Sequence, residues 1–455
     1  MNDKKIKVRM QDAKERVKNF NEVELGYNDE EALQEASRCL NCKIPKCVEG
    51  CPVNIMIPNF IKAVKEGNLK EAYDIISESS SLPAVCGRVC PQEKQCESKC
   101  VKGIKGESIS IGSLERYVAD QAILNGFSST KQIEKNGFKV AIVGSGPAGL
   151  TCAGDLAKNG FDVTIYEVLH KAGGVLTYGI PEFRLPKRIV QKEVDSLKAL
   201  GVDIKTDVPI GNAITLNDLQ EEYDAVFVGT GAGLPKFMNI PGEDGNEVFS
   251  ANEILTRINL MGAYKDDAKT PIKKVKVAYV IGGGNVAMDA VRSLKRLGIE
   301  AHLMYRRGID ELPARKVEVE HAKEEGIIFD LLRNPKFIIT DEKNSVVGMQ
   351  VVKMTLGEPG ADGRRNVIEE EGSEYFVGCD MVVMALGTSP NHEALKQSPI
   401  VLTEKGLIEV EGTKTSLDNV YAGGDAVTGA ATVILAMEAG KKAAKEIIDR
   451  LIKKN

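Results

Sequence analysis

Residues 139–167 read KVAIVGSGPAGLTCAGDLAKNGFDVTIYE. The apolar run KVAIV suits a strand buried on both faces of a parallel sheet. Gly144, Gly146 and Gly149 follow it at the spacing of a dinucleotide-binding turn. The first glycine permits the turn, the second lets backbone approach a pyrophosphate, and the third lets the next helix pack on the strand. That helix then presents its N-terminus to the phosphates. A second strand, DVTIYE, ends at Glu167, where a carboxylate can bond a ribose diol. Strand, turn, helix, strand and acid in this order predict a doubly wound α/β unit.

The pattern repeats once, in VKVAYVIGGGNVAMDAVRSLKRLGIEAHLMYRR (275–307). Gly282, Gly284 and Ala287 occupy the three fingerprint positions. The position equivalent to Glu167 is Tyr305, and Arg306 and Arg307 follow it. An acid there would repel a ribose 2′-phosphate, whereas arginine accepts one. The first turn therefore suits FAD and the second NADP(H). Their bland counterpart is a solvated charge pair at a strand end. A later stretch, NVYAGGDAV, places Gly424 and Asp425 at the start of an apolar-periodic helix. Asp425 suits a ribityl hydroxyl and also suits a helix cap. GTGAGLP (229–235) and ALGTSPN (385–391) read as crossings between two domains. The predicted architecture is α/β: a helical domain over 1–130, then a flavin domain over 139–265 and 386–455. A nicotinamide domain over 266–385 is inserted within it, and KQIEKNGF (131–138) is a polar bridge.

Eight of the ten cysteines precede all of this. Cys39, Cys42, Cys47 and Cys51 form one group, closed by Pro52; Cys86, Cys90, Cys96 and Cys100 form the other. Closely spaced thiolates with a following proline are typical Fe–S ligands. Two four-cysteine groups could also hold zinc, although the spacing is not that of paired Cys-x2-Cys motifs. Disulfides would need an oxidising compartment, and the chain opens MNDKKIKVRM without an apolar leader. Spacing alone leaves open whether each group of four holds its own cluster.

The composition narrows the function class. Net charge is −5 with acids and bases well mixed, so nucleic acid is not expected as a partner. No apolar run is long enough for a membrane span, and a cytoplasmic location is expected. Cys152 and Cys379, the remaining cysteines, form no paired redox motif of the thioredoxin reductase type.

Taken in order, the cysteine groups, GSGPAG with Glu167, GGVLTYGIPEFRLPK (173–187), GGGNVA with YRR, ELPAR (311–315) and GGDAV resemble the small (beta) subunit family of NADPH-dependent glutamate synthase. The resemblance extends to the large subunit of NADH-dependent reduced ferredoxin:NADP oxidoreductase and to the sulfide dehydrogenase flavoprotein, and covers the chain from about Asn19 onward. It implies an oxidoreductase passing electrons between NADPH, FAD and two [4Fe–4S] clusters, to or from a second subunit. That subunit would be a glutamate synthase large subunit or a flavin/iron–sulfur ferredoxin reductase-like chain; ferredoxin is a further partner. It implies Cys39, Cys42, Cys47 and Glu115 on one cluster, Cys51, Cys90, Cys96 and Cys100 on the other, and Cys86 on neither. It places Gly174, Leu176 and Arg184 beside the flavin ring, and makes Arg315 and Glu318 nicotinamide contacts. The chain holds neither an N-terminal cysteine nucleophile nor the ~250 residues of a (β/α)8 barrel, so a partner is expected. The alternative is an electron-relay or assembly subunit without nicotinamide turnover of its own.

Overall fold

Near-continuous apolar strands demand cover on both faces, and two parallel five-stranded sheets provide the frame of the computed structural model. It describes residues 4–127, 133–360 and 363–452. The first sheet runs Val420–Ala422, Ala225–Val228, Lys139–Val143, Asp162–Tyr166, Asp203–Lys205 in spatial order. The second runs Ile328–Leu331, Glu300–Tyr305, Val277–Ile281, Met381–Met384, Val248–Ser250. All of these neighbours pair in parallel. An antiparallel sheet built on the long strand Val346–Pro359 flanks the second layer. Every strand of the second layer lies in sequence between two strands of the first, so one domain is inserted in the other. Sheet membership changes upstream of the expected boundary at 265/266, because Val248–Ser250 already pairs with Met381–Met384. The two crossings run side by side: Leu234–Pro235 pairs antiparallel with Thr388–Ser389.

The N-terminal region is mainly helical, with Ile57–Lys65, Leu69–Ser79, Pro83–Val89 and Ile111–Asn125 as its main elements. The bridge predicted at 131–138 and the end of the first predicted domain fall partly outside the described residues. Among the described residues no helix is long and apolar enough to cross a membrane.

Two features lock the parts together. The first is apolar: Phe60, Leu82, Cys86 and Leu114 share one core with Leu150, Leu156 and Met437. Glu193 adds a polar pin, accepting the N–H of Ala84 at 2.6 Å at the start of Pro83–Val89. The second is a buried charge network. Arg184 makes two bonds to Asp289, at 2.6 and 2.7 Å, and one ion pair to Glu318. Arg292 bonds Glu318 and Glu325, Arg296 bonds Glu325, and Arg16 reaches Glu325 from the N-terminal segment at 2.8 Å. Arg292 and Arg296 also stack over Phe183. Breaking a buried pair from one side leaves an uncompensated charge and costs roughly 3–5 kcal/mol.

Burial opposes charge on Glu318, yet Arg184 and Arg292 hold its pKa down at about 2. Burial, with Arg292 beside it, lowers His321 to about 4. Both groups bind protons more readily in the unfolded chain, so both destabilise the fold as pH falls. These two groups contribute stability that is lost as pH falls, that of His321 below about 6.5 and that of Glu318 below about 4.5. Chemical denaturation of wild type and Arg184→Leu across about pH 3 to 7 should show a stability difference that is largest near neutral pH and shrinks below about 4.5.

Candidate functional site

The two glycine turns are built alike. Gly144 has φ +100°, and a Cβ there would lie 2.6 Å from the Gly229 carbonyl oxygen. A Cβ on Gly149 would lie 2.0 Å from the Gly144 carbonyl oxygen, which is how helix Pro147–Lys158 comes onto its strand. Above Gly146 there is open space. In the second turn Gly282 has φ +145°, and a Cβ there would meet the Ala385 carbonyl oxygen at 2.4 Å, while Gly284 is open. Ala287 is fully buried. The helices Pro147–Lys158 and Asn285–Arg296 start at these turns, so each open space faces a helix N-terminus. Such cradles fit a diphosphate.

Glu167 is buried at the end of its strand and accepts the N–H and hydroxyl of Ser145 at 3.0 and 2.5 Å. The GGVLTYGIPEFRLPK segment folds onto the same turn: Gly174, at φ +52°, would bring a Cβ to 2.9 Å from Gly146 Cα. Asp425 comes in from the far end of the chain. Burial raises its pKa to about 6, while the Ala431 N–H, 3.2 Å away, opposes the shift. Tyr178 stands between them: burial, then the charges of Glu167 and Asp425, push it up to about 12. Gly424, at φ +70°, lies against Ala148, and the helix Val433–Leu451 follows.

Two residues expected beside the flavin ring have protein partners of their own. Leu176 points into the apolar core, and its carbonyl accepts from Lys187 Nζ at 3.0 Å. Lys187 also donates to the carbonyls of Ile180 and Leu185, knitting the segment together. The Arg184 guanidinium is taken up by Asp289 and Glu318, so it braces the two layers. In the second layer, Tyr305 donates to the Glu311 carbonyl, Arg306 is exposed, and Arg307 donates to the Arg365 carbonyl. Arg315 reaches away to Gln92 and Glu93 of the helical domain, and Glu318 serves Arg184 and Arg292. Neither is a free nicotinamide contact.

The cysteines divide differently from the expected allocation. Cys39, Cys42, Cys47 and Cys100 line one cavity. Glu115 instead lies within electrostatic reach of Cys51, Cys90 and Cys96. Cys100 and Glu115 have thus exchanged places. The short 3-10 turn Glu97–Lys99 separates Cys96 from Cys100 and sends them to opposite groups. Burial pushes the Cys51 thiol up to about 11 and raises Cys96 well above the ordinary range. Burial likewise raises the Glu115 carboxyl to about 8, and its Oε1 is buried without a hydrogen-bond partner. Three buried thiols and an orphaned carboxyl lack the positive charge that metal coordination supplies, so the donor set fits a cluster. Cys86 is fully buried beside Cys90 and donates to Met437 Sδ at 3.4 Å.

Residues 16–127 match dihydropyrimidine dehydrogenase domain II, 4Fe-4S cluster, and residues 138–440 match the pyridine nucleotide-disulphide oxidoreductase family. The glutamate synthase [NADPH] small chain of Escherichia coli is 35% identical over 95% of this chain and 94% of its own. The beta subunit of the NADP(+)-dependent formate dehydrogenase of Moorella thermoacetica is 39% identical over 88% of this chain and 59% of its own. Among solved structures, Mycobacterium tuberculosis FprA in complex with NADPH superposes with a TM-score of 0.58 at 19% identity, covering 69% of this chain and 84% of that one.

The glycine geometry separates two kinds of variant. Gly146→Ala keeps its backbone conformation and meets open space, so the chain should fold with flavin content reduced at least ~10-fold, a loss of about 1.4 kcal/mol in binding. Gly149→Ala should lower the thermal midpoint itself, since overpacking of this kind costs roughly 1–3 kcal/mol. Flavin absorbance and calorimetry on both variants check this.

Proposed function

As a member of the pyridine nucleotide-disulphide oxidoreductase family and a homologue of the glutamate synthase small chains, this chain is an FAD-dependent NADPH oxidoreductase carrying [4Fe–4S] clusters, and we propose that it works as the nicotinamide-facing subunit of a larger cytoplasmic enzyme. When bound, FAD accepts a hydride from NADPH and gives up electrons one at a time, and clusters carry them singly.

The residues divide that work. Gly144, Gly146 and Gly149 cradle the FAD diphosphate, Glu167 holds its ribose, and Asp425 with Gly424 faces its ribityl chain. Gly174 lets the 173–187 segment close over the same turn, and Lys187 fixes that segment's carbonyls. Gly282, Gly284 and Ala287 cradle NADPH, and Arg306 and Arg307 receive its 2′-phosphate. Cys39, Cys42, Cys47 and Cys100 hold one cluster; Cys51, Cys90, Cys96 and Glu115 hold the other. Cys86 holds neither and packs the second site against the flavin layer.

One observation supports the reading: two open glycine cradles lie on one chain, and the strand after the first leads to Glu167 while the strand after the second leads to Tyr305-Arg306-Arg307. The second cradle argues against a pure relay subunit. The partner is a glutamate synthase large subunit or another flavin- or iron–sulfur-bearing chain, in line with the subunit status of the two relatives above.

Anaerobic purification with iron, sulfide and flavin analysis tests the whole. About eight iron and eight sulfide per chain with one FAD are expected, as for two four-iron clusters. Stoichiometric zinc without sulfide would refute it. For the nicotinamide site, Arg306→Ala should raise KM for NADPH by about tenfold, the weight of one charge-assisted contact, and leave NADH unchanged. A variant that keeps its preference for NADPH in dye reduction would remove Arg306 from the site.

A further inference from the structure

Arg315 is tied to the second glycine turn by its backbone and to the cysteine-bearing helices by its side chain. Its N–H donates to Asn285 Oδ1 at 2.9 Å. Asn285 is the first residue of helix Asn285–Arg296, directly after Gly284. The Ala314 N–H donates to the Gly283 carbonyl of the same turn at 3.2 Å. A ligand seated on this cradle therefore bears on the backbone that carries Arg315. The side chain runs the other way. Its guanidinium donates to Gln92 Oε1 at 3.1 Å and to the two Glu93 oxygens at 3.1 and 3.0 Å.

Gln92 stands where the supports of the buried cysteine group meet. It lies in the short turn Gln92–Lys94, between Cys90 and Cys96. Its Nε2 donates to the Cys86 carbonyl at 3.3 Å, and the same oxygen accepts the Cys90 N–H at 3.1 Å. Its amide also packs on Gly112, where a Cβ would come within 2.3 Å of Nε2. Gly112 lies one turn before Glu115 in helix Ile111–Asn125. Gln92 thus touches the supports of Cys90 and Glu115 and leads along the chain to Cys96. It is buried, and both ends of its amide are bonded. Without Arg315 its carbonyl oxygen would lose that bond, a cost a buried amide relieves by reorienting.

We infer that Arg315 is a positioning residue that couples occupancy of the second glycine cradle to the cluster held by Cys51, Cys90, Cys96 and Glu115. The inference rests on the reading of those two sites and adds their communication. The path runs from Asn285 through Arg315 and Gln92 to the Cys86 carbonyl, and each step between residues is a hydrogen bond. A diphosphate at the start of Asn285–Arg296 brings negative charge to the turn that holds Arg315. The guanidinium is then shared between that charge and Glu93, and its hold on Gln92 changes. Hydrogen bonding around a cluster sets its potential, so the cluster registers whether the nucleotide site is filled. Linkage requires the reverse as well: reduction of the cluster changes nucleotide affinity by the same factor.

The test uses the holoprotein and ADP-ribose 2′-phosphate, a redox-inert fragment that carries the diphosphate and 2′-phosphate of NADP. Saturation with it should shift the midpoint potential of one cluster, followed by EPR in a redox titration, by about 40 mV, which is about fivefold coupling at ~59 mV per tenfold for one electron. Affinity for the fragment should differ by the same factor between oxidised and reduced protein. Hydrogen exchange of the 90–96 amides should change on binding, which locates the effect at Gln92. Arg315→Gln should cut the coupling below about twofold, with iron and sulfide contents at wild-type levels. Arg315→Lys is the milder variant: it can pair with Glu93 but lacks the fork that also holds Gln92, and it should lose the coupling too. Coupling that persists in both variants overturns the proposal, as does its absence from the wild type. Equal loss of affinity in both redox states, with the coupling intact, would make Arg315 a nucleotide contact and also overturn it. A wild-type chain that lacks iron and sulfide, or that does not bind the fragment, is the distinct result that removes the cofactor reading itself, and the coupling with it.

Discussion

Leu82, Cys86 and Leu114 pack into the same apolar core as Leu150, Leu156 and Met437, so the cysteine-bearing helices do not move independently of the flavin layer. Electron transfer depends steeply on distance, and only a dry, close-packed seam holds distances constant. Protein interiors packed to crystal density meet that need. The Glu193 cap on Pro83–Val89 crosses the same seam, and that helix ends at Cys90. The position of Cys90 is thereby referred to helix Lys187–Ala199.

The nicotinamide layer is attached by different physics. Its contacts with the rest add ion pairs to the stacking of Phe20 on Tyr264: Arg184 with Asp289 and Glu318, Arg16 with Glu325, Arg315 with Glu93. Buried ion pairs give less net stability than apolar packing but strongly penalise wrong geometry. One seam is thus held mainly by apolar fusion, and the other adds directional polar bracing to its apolar contacts.

How far the sequence could be read follows from range. The glycine turns are local: Gly144, Gly146 and Gly149 must satisfy a turn, a ligand and a helix within a few residues, so their pattern is visible in one dimension. The insertion of one domain in the other was legible for the same reason, through repeated turns and paired crossings. The partition of the cysteines was not, because it depends on how the short turns after Cys90 fold back. Cys96 and Cys100 are neighbours in sequence and belong to different groups, while Cys100 joins residues from the opposite end of the helical domain. The ion pairs of Arg184 were illegible for a related reason: its partners Asp289 and Glu318 lie on a distant insertion, and nothing near Arg184 announces them. Lys187 and Tyr178 sat in a motif already singled out, yet only the fold shows that one binds three carbonyls and the other stands between Glu167 and Asp425.

The pairing of Leu234–Pro235 with Thr388–Ser389 bears on how such a chain could have been assembled. Adjacent strands stand roughly 5 Å apart, so the points where the chain leaves the flavin domain and returns to it are nearly coincident. Everything between them could be lifted out as one cassette and the cut ends rejoined by a tight hairpin, leaving the first sheet's strand order intact. Strand order would survive such an exchange at a single locus, and Arg16 and Arg184 would have to find new partners.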